Sequence, residues 1–142
     1  MTHKGNVPAY EGYHPLLPLF LRLLAIVLFF YWGLTHLLKP EWYLVSLMGI
    51  TDFDPTNGYD MWSVNLIGVL NIAFALTIFR AAGDPVRNKT VLDMIFMVSI
   101  GTVIVLVVSI LGRGISPTEW WNVGLIVGSM AILWWLYPRW AP

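Results

Sequence analysis

Residues 91–111 read VLDMIFMVSIGTVIVLVVSIL and carry one charged side chain, Asp93, near the start of the run. A transmembrane α-helix needs about 20 consecutive and mainly apolar residues to cross the hydrocarbon core of a bilayer. Three further apolar runs occupy residues 16–38, 61–82 and 120–136. The sequence therefore predicts an all-α integral membrane protein, with a bundle of four transmembrane helices formed by residues 16–142.

The composition supports a membrane protein and excludes several other classes. Hydrophobic residues make up 58% of the 142 residues and charged residues only 11%, whereas soluble domains carry about 25% charged residues. The formal net charge is zero, so nothing indicates a nucleic-acid partner. The chain has no cysteine, which excludes disulfides, thiol catalysis, cysteine-ligated zinc and iron–sulfur clusters.

The basic residues predict the orientation of the bundle. Only Lys39 and Arg113 lie on the outer side if the N-terminus is placed in the cytoplasm. The other six of the eight basic residues then lie on or near the cytoplasmic side: Lys4, Arg22, Arg80, Arg87, Lys89 and Arg139. Because short cytoplasmic loops are enriched in lysine and arginine, we expect a multi-pass protein of the inner membrane, with both termini cytoplasmic.

Two segments are expected to lie at the membrane interface. The polar residues 1–15 predict an interfacial N-terminal arm without a core of its own. Pro40 ends the first helix, and the apolar residues 40–48 are too few to span a bilayer, which predicts a short interfacial helix. Trp42 and Tyr43 would then lie among the lipid headgroups of the outer surface.

Three acidic residues are assigned to helix starts. Asp60 is placed to cap the second helix, and Asp93 follows Thr90 at the spacing of a capping box. Ser116 is the expected N-cap of the fourth helix, with Glu119 three residues later as its capping-box partner. We therefore expect Glu119 to serve as a helix cap rather than as a proton carrier.

The second helix carries a polar and small stripe at three-residue steps, formed by Trp62, Asn65, Gly68 and Asn71. An amide in hydrocarbon must find a hydrogen-bond partner, so this stripe is expected to face other helices. Two interpretations remain open. The stripe either holds the helices together or forms a polar pocket for a headgroup or a quinone carbonyl.

The fourth helix contains a pair of glycines at the spacing typical of close helix packing. These are Gly124 and Gly128, and small residues four apart allow two helix backbones to approach. The pattern predicts a close neighbour without saying whether that neighbour belongs to this chain or to another membrane subunit.

His36 is the only histidine within a predicted span. Asn65, Glu119 and Asn122 are predicted at a similar depth, so we take His36, Trp62, Asn65 and Asn122 as candidate cofactor-binding residues. A neutral imidazole can ligate the magnesium of a chlorophyll-type pigment or bond to a quinone, and a lipid is the third candidate ligand. His36 could equally bond to Asn65 or to a carboxylate and serve folding alone. A bis-histidine haem would need a second histidine in the bundle, and no metal site is predicted.

The segment from Arg22 through Gly33-Leu-Thr-His36 to Pro40-Glu-Trp42 resembles the first helix and following turn of DoxX-like small membrane proteins. This resemblance implies four helices and a glycine-centred stripe on the second helix, which Gly68 would match. Because DoxX-like members include subunits linked to quinone-dependent oxidation of sulfur compounds, it also implies a quinone-linked redox role. It assigns no catalytic residue to this chain.

The small size, the short polar loops and the lack of a catalytic residue set favour a non-catalytic accessory subunit. Its host would be a larger membrane complex of respiratory or photosynthetic electron transfer, and its partners would be membrane lipids and other integral membrane subunits. Two alternatives stay open: a DoxX-like quinone-linked redox component, and a pigment- or lipid-binding membrane protein that uses His36. We expect no enzymatic activity from the chain itself.

Overall fold

A computed structural model describes residues 13–50, 53–112 and 116–138. Most of the expected N-terminal arm, residues 1–12, lies outside the described residues. In the part of the chain that is described, the regular secondary structure is helical throughout. The helices are α1 (Leu17–Leu38), α2 (Trp42–Leu47), α3 (Gly58–Ala81), α4 (Lys89–Gly112) and α5 (Trp120–Leu136), with a 3₁₀ turn at Pro117–Glu119 before α5. The short helix α2 has π-helical geometry.

The long helices have the character of membrane spans. Helices α1, α3 and α4 contain 22, 24 and 24 residues and are apolar enough to cross a bilayer by length and composition. Only 22%, 22% and 11% of their most apolar windows are buried inside the molecule, so most residues of these windows are exposed or only partly buried. The expectation of an all-helical membrane protein is confirmed to this extent. Helix α5 has 17 residues, at the lower limit of about 17 for a span.

Helix α1 changes its geometry midway. An α-helical first part, Leu17–Val27, is followed by a π-helical stretch at Leu28–Leu34 and by α-helix again at Thr35–Leu38. Nothing in the sequence predicted this stretch. Wide π turns are rare and often occur at functional sites, and this one ends two residues before His36.

The start of α3 corrects one expectation. The helix begins at Gly58, and its N-cap is Asn57, whose side chain accepts a hydrogen bond from the Tyr59 N–H at 2.9 Å. Asp60 instead accepts a bond from the Asp54 N–H in the preceding loop, at 3.3 Å. The assignment of Asp60 as the cap was wrong because an earlier amide side chain already occupies that role.

Helices α1 and α3 cross in close contact at two glycines. A Cβ atom added at Gly68 would lie 3.0 Å from the Gly33 carbonyl oxygen and 2.9 Å from Leu37 Cγ. A Cβ added at Gly33 would lie 2.6 Å from Ile72 Cγ1. Both positions therefore need glycine, because a side chain on either would push the two backbones apart.

The helices are joined at one end by an apolar core, which we call the base. There α1 and α4 begin while α3 and α5 end. The buried side chains of the base are Leu17, Leu21, Ala25, Ile78, Ala82, Leu92, Ile95, Leu133 and Leu136. These side chains connect all four long helices. Because lipid tails are as apolar as leucine, helices in a bilayer are held together mainly by van der Waals packing of this kind rather than by the exclusion of water.

The opposite end, the cap end, is covered by α2. Buried Tyr43 and Leu44 of α2 pack against Val64 of α3. The Ser116 N–H donates to the Met48 carbonyl at 3.1 Å. The Thr118 hydroxyl donates to the Leu47 carbonyl at 2.9 Å. These bonds tie the chain just after α2 to the start of α5, so α2 folds over the helix ends instead of lying apart from them.

Candidate functional site

A central cavity of about 600 Å³ lies between the base and the cap end. It exists because α1 packs mainly on α3 and α4 mainly on α5, whereas these two pairs contact each other less. Its walls are apolar over most of their area, and four small polar or amide side chains interrupt them midway: Asn71, Ser99, Thr102 and Ser129. A volume of this size suits a small molecule with a long apolar part.

The cap end of the cavity is lined by four polar or aromatic side chains, which we call the polar cluster: His36, Tyr43, Glu119 and Asn122. Three elements supply them, namely the last turn of α1, helix α2, and the start of α5 with its preceding turn. The His36 and Tyr43 rings lie 4.5 Å apart between centroids, and Tyr31 meets Tyr43 edge-on at 6.0 Å. The cluster therefore combines flat aromatic surfaces with hydrogen-bonding groups.

Glu119 and Asn122 form the buried polar pair of this cluster. Each is only 3% exposed, and the Asn122 side-chain N–H donates to Glu119 Oε2 at 2.7 Å. Since a carboxylate oxygen accepts hydrogen bonds, this contact fixes which side of the amide is nitrogen. The other side, Asn122 Oδ1, is buried and has no hydrogen-bond partner in the described structure.

The role expected for Glu119 was wrong. A capping box would place the Glu119 carboxylate on the Ser116 N–H, but that N–H donates to the Met48 carbonyl. Ser116 does cap the turn, because its side chain accepts from the Thr118 N–H at 3.3 Å. With the Ser116 N–H already bonded, the carboxylate turns inward and becomes part of the cavity wall.

His36 is 6% exposed, and its Nδ1 atom lies at hydrogen-bond distance from the Trp32 carbonyl oxygen. A carbonyl oxygen only accepts, so Nδ1 carries the proton and Nε2 of the neutral ring holds the free lone pair. No partner for Nε2 is found among the described residues. His36 thus offers one acceptor, fixed in direction by its bond to the backbone.

Tyr43 remains a neutral phenol under physiological conditions. Burial raises the pKa of Tyr43 well above its ordinary value of 10.0, and the negative charge of Glu119 and the neighbouring Tyr31 raise this pKa further. Hydrogen bonds with the side chains of Trp32 and Asn122 act in the opposite direction but do not offset burial. The Tyr43 hydroxyl is therefore a permanent hydrogen-bonding group of the cluster.

The structure brings together only part of the predicted site. His36 and Asn122 both line the cavity at its cap end, and Asn71 lines it midway. Asn65 is half-buried but does not line the cavity, and Trp62 is 59% exposed beside Tyr59. The predicted stripe therefore divides among the surface, the crossing with α1 and the cavity.

The predicted packing glycines lie in two different environments, one at Gly68 and the other at Gly124 and Gly128. Gly68 is buried against α1, in a contact with no space for a side chain. At Gly124 and Gly128, an added Cβ would meet nothing within 4 Å, and both glycines are exposed. Their spacing gives no close packing within the described part of this chain.

A second polar contact lies at the base. The Tyr137 hydroxyl donates to Asp93, and the Lys89 ammonium lies 5.4 Å from the centre of the Tyr137 ring. Burial, followed by the hydrogen bond with Asp93 and its negative charge, raises the pKa of Tyr137 to about 12. Through this hydrogen bond, Asp93 joins the start of α4 to the chain that follows α5.

No protein-family model matches this chain, and comparison with curated proteins and with solved structures finds no significant match. The resemblance to DoxX-like proteins therefore stays a prediction. The central cavity and the polar cluster are the features of the molecule that bear on its function. Within the described residues, no group of three or more His, Cys, Asp or Glu side chains is arranged to hold a metal ion.

Proposed function

We propose that this protein binds an amphipathic, membrane-soluble small molecule in its central cavity. The observation that carries the proposal is a cavity of about 600 Å³ with apolar walls, one end of which is lined by the polar cluster. Ligand sites typically combine apolar walls of this kind with a few placed polar groups. The ligand's apolar part would extend towards the base, and its polar head would lie against His36 and Asn122.

The candidate ligands are those named from the sequence: a quinone, a lipid or a chlorophyll-type pigment. All three have a long apolar part that suits the apolar walls. The quinone and the lipid carry a compact polar head, whereas the pigment carries a larger, metal-bearing ring. A buried amide oxygen without a partner costs about 1–3 kcal/mol. A ligand group that bonds to Asn122 Oδ1 would remove this cost, so binding would also stabilise the fold.

The proposal includes a topology. We propose that α1, α3, α4 and α5 all cross the inner membrane, with both termini in the cytoplasm and the base on the cytoplasmic side. Support comes from Arg80 in the last turn of α3 and Lys89 at the start of α4, because basic residues favour the cytoplasmic side. The polar cluster would then lie in the outer half of the bilayer.

This topology predicts the behaviour of fusion proteins. A reporter that is active only in the cytoplasm should be active when fused after Pro142, and a reporter that needs export should be inactive there. The matched control is a fusion in the loop at Asn57, where the export-dependent reporter should be active. Activity of the export-dependent reporter at Pro142 would contradict the topology.

A second candidate function is that of an accessory subunit in a larger electron-transfer complex. It is supported by the exposed glycines of α5, since Gly124 and Gly128 leave room for a helix that the described part of this chain does not supply. Extraction in mild detergent tests the candidate. Other integral membrane proteins should co-purify with the wild-type chain and should be lost from the Gly124→Phe variant.

Filling the cavity should abolish ligand binding without disturbing the fold. Ser129 lines the cavity midway along α5, so the phenyl ring of Ser129→Phe would occupy the space of the ligand's apolar part. The control is Val127→Phe, because Val127 is 50% exposed on the same helix. The probe is a fatty acid that carries a photoreactive diazirine and an alkyne, and its crosslinks are mapped by mass spectrometry of peptides.

We expect the probe to label cavity-lining peptides of the wild-type protein and of Val127→Phe. Labelling of these peptides should fall at least about tenfold in Ser129→Phe, which corresponds to about 1.4 kcal/mol of lost binding. Crosslinks restricted to the outer helix faces and equal in all three proteins would overturn the proposed function.

A further inference from the structure

Two side chains of the polar cluster, Asn122 and His36, each carry a hydrogen-bond acceptor that has no partner in the described structure. Asn122 uses its N–H on Glu119 Oε2, and its Oδ1 is buried without a partner. An amide oxygen can only accept a hydrogen bond. In native structures, buried polar atoms are almost always satisfied, so this oxygen indicates a bound group that donates.

His36 adds a second acceptor at the same end of the cavity. Its Nδ1 proton is held by the Trp32 carbonyl, which leaves Nε2 as an acceptor in the neutral ring. His36 and Asn122 come from α1 and α5 and both line the cavity. A head group placed between them would meet an acceptor on each of two different helices.

The surroundings of these acceptors are aromatic. The rings of His36 and Tyr43 lie 4.5 Å apart between centroids with their planes tilted by 46°. Tyr31 packs edge-on against both Tyr43 and Trp32. Aromatic side chains favour offset-stacked or edge-to-face contacts with another ring, so the cap end suits a flat head group better than a branched polar one.

We infer that the head group of the ligand is an aromatic ring bearing at least two hydroxyl groups, one donating to Asn122 Oδ1 and the other to His36 Nε2. This inference rests on the proposed function, since it names the chemistry of the same ligand. A head group with carbonyl or ether oxygens alone cannot donate, so it would leave both acceptors unpaired. The cavity therefore distinguishes a dihydroxy ring from its oxidised or methylated counterparts.

Competition against the photoreactive fatty acid tests the inference. Three competitors with the same alkyl chain are compared under anaerobic conditions: an alkyl hydroquinone, the corresponding alkyl benzoquinone and the dimethyl ether of the hydroquinone. The three have nearly the same size and apolar chain, and only the hydroquinone donates hydrogen bonds. We expect the hydroquinone to displace the probe from cavity peptides at a concentration at least about tenfold below that of the ether.

Two variants show whether the preference arises at the polar cluster. Asn122→Leu and His36→Phe each remove one acceptor, and the second keeps a ring beside Tyr43. Each should reduce the preference for the hydroquinone severalfold while the benzoquinone competes as before. If Asn122→Leu fails to fold, His36→Phe still carries the test.

The outcomes separate this inference from the proposed function. Equal competition by all three compounds, with labelling still lost in Ser129→Phe, would overturn the dihydroxy ring and leave ligand binding in place. The same holds for a hydroquinone preference that persists in both variants. Cavity labelling that is absent from the wild-type protein would overturn the proposed function itself.

Discussion

Replacing Gly68 with leucine is expected to prevent stable folding. A Cβ atom at this position would lie 3.0 Å from the Gly33 carbonyl oxygen, and the backbone of α1 cannot move away without leaving its packing on α3. Overpacking of a close contact costs about 1–3 kcal/mol and occasionally more, and leucine adds a full side chain beyond the Cβ. We expect a loss of about 3 kcal/mol or more, a large part of the roughly 5–15 kcal/mol that stabilises a typical domain.

The matched control is Gly124→Leu. A Cβ at Gly124 meets nothing within 4 Å. Alanine is favoured over glycine inside a helix by about 0.8–1.0 kcal/mol, and leucine ranks close to alanine. Unfolding of both variants in mixed micelles of increasing denaturing detergent content measures the difference. A Gly68→Leu protein as stable as the control would contradict the close crossing of α1 and α3.

Removing Glu119 alone should be far more damaging than removing Glu119 and Asn122 together. The Glu119→Leu variant leaves the buried N–H of Asn122 without the acceptor that it has at 2.7 Å. A buried polar group left unpaired costs about 1–3 kcal/mol, whereas replacing both partners with apolar groups of similar shape is nearly neutral. The double variant Glu119→Leu/Asn122→Leu should therefore regain most of the lost stability.

Ligand binding should not recover with stability. The double variant keeps the apolar walls and His36 but lacks the Asn122 oxygen, so we expect its preference for a hydroquinone over the corresponding ether to be severalfold smaller than that of the wild-type protein. Thermal unfolding and probe displacement, measured on the same preparations, separate the two effects. A double variant that is as unstable as Glu119→Leu would show that the pair does not act as a unit.

The sequence predicted the helices well because membrane spans depend on length and hydropathy alone. Apolar runs at 16–38, 61–82, 91–111 and 120–136 agree closely with α1, α3, α4 and α5. The errors lie at the helix ends, whose positions depend on capping side chains. Helix α3 begins earlier than expected because Asn57 caps it, and Asp60 bonds to the preceding loop. The π-helical stretch Leu28–Leu34 packs against α3, and the local sequence gave no signal for its geometry.

The candidate site was predicted only in part, for a topological reason. His36 and Asn122 were identified as polar residues at one depth, and the structure places both on the cavity wall. Tyr43 was assigned to the headgroup region because a short helix after a span usually lies on the surface. Its burial follows from the return of α2 over the helix ends, which depends on the bonds of Ser116 and Thr118 with Met48 and Leu47.

Glu119 was misassigned by a rule that is sound locally. The spacing of Ser116 and Glu119 fits a capping box, but the Ser116 N–H donates to the Met48 carbonyl, which is distant in the sequence, instead of to the Glu119 carboxylate.

The polar stripe of α3 was also predicted from local spacing alone. A step of three residues drifts around a helix of 3.6 residues per turn, so Trp62 reaches the surface while Asn71 reaches the cavity.

The central claim is that the cavity holds an amphipathic small molecule. The most direct test is purification of the wild-type protein in a mild detergent, followed by mass spectrometry of every small molecule that remains bound. We expect one amphipathic compound at close to one molecule per chain, strongly reduced in Ser129→Phe and unchanged in Val127→Phe. Only bulk lipid and detergent, retained in equal proportion by all three proteins, would contradict the claim.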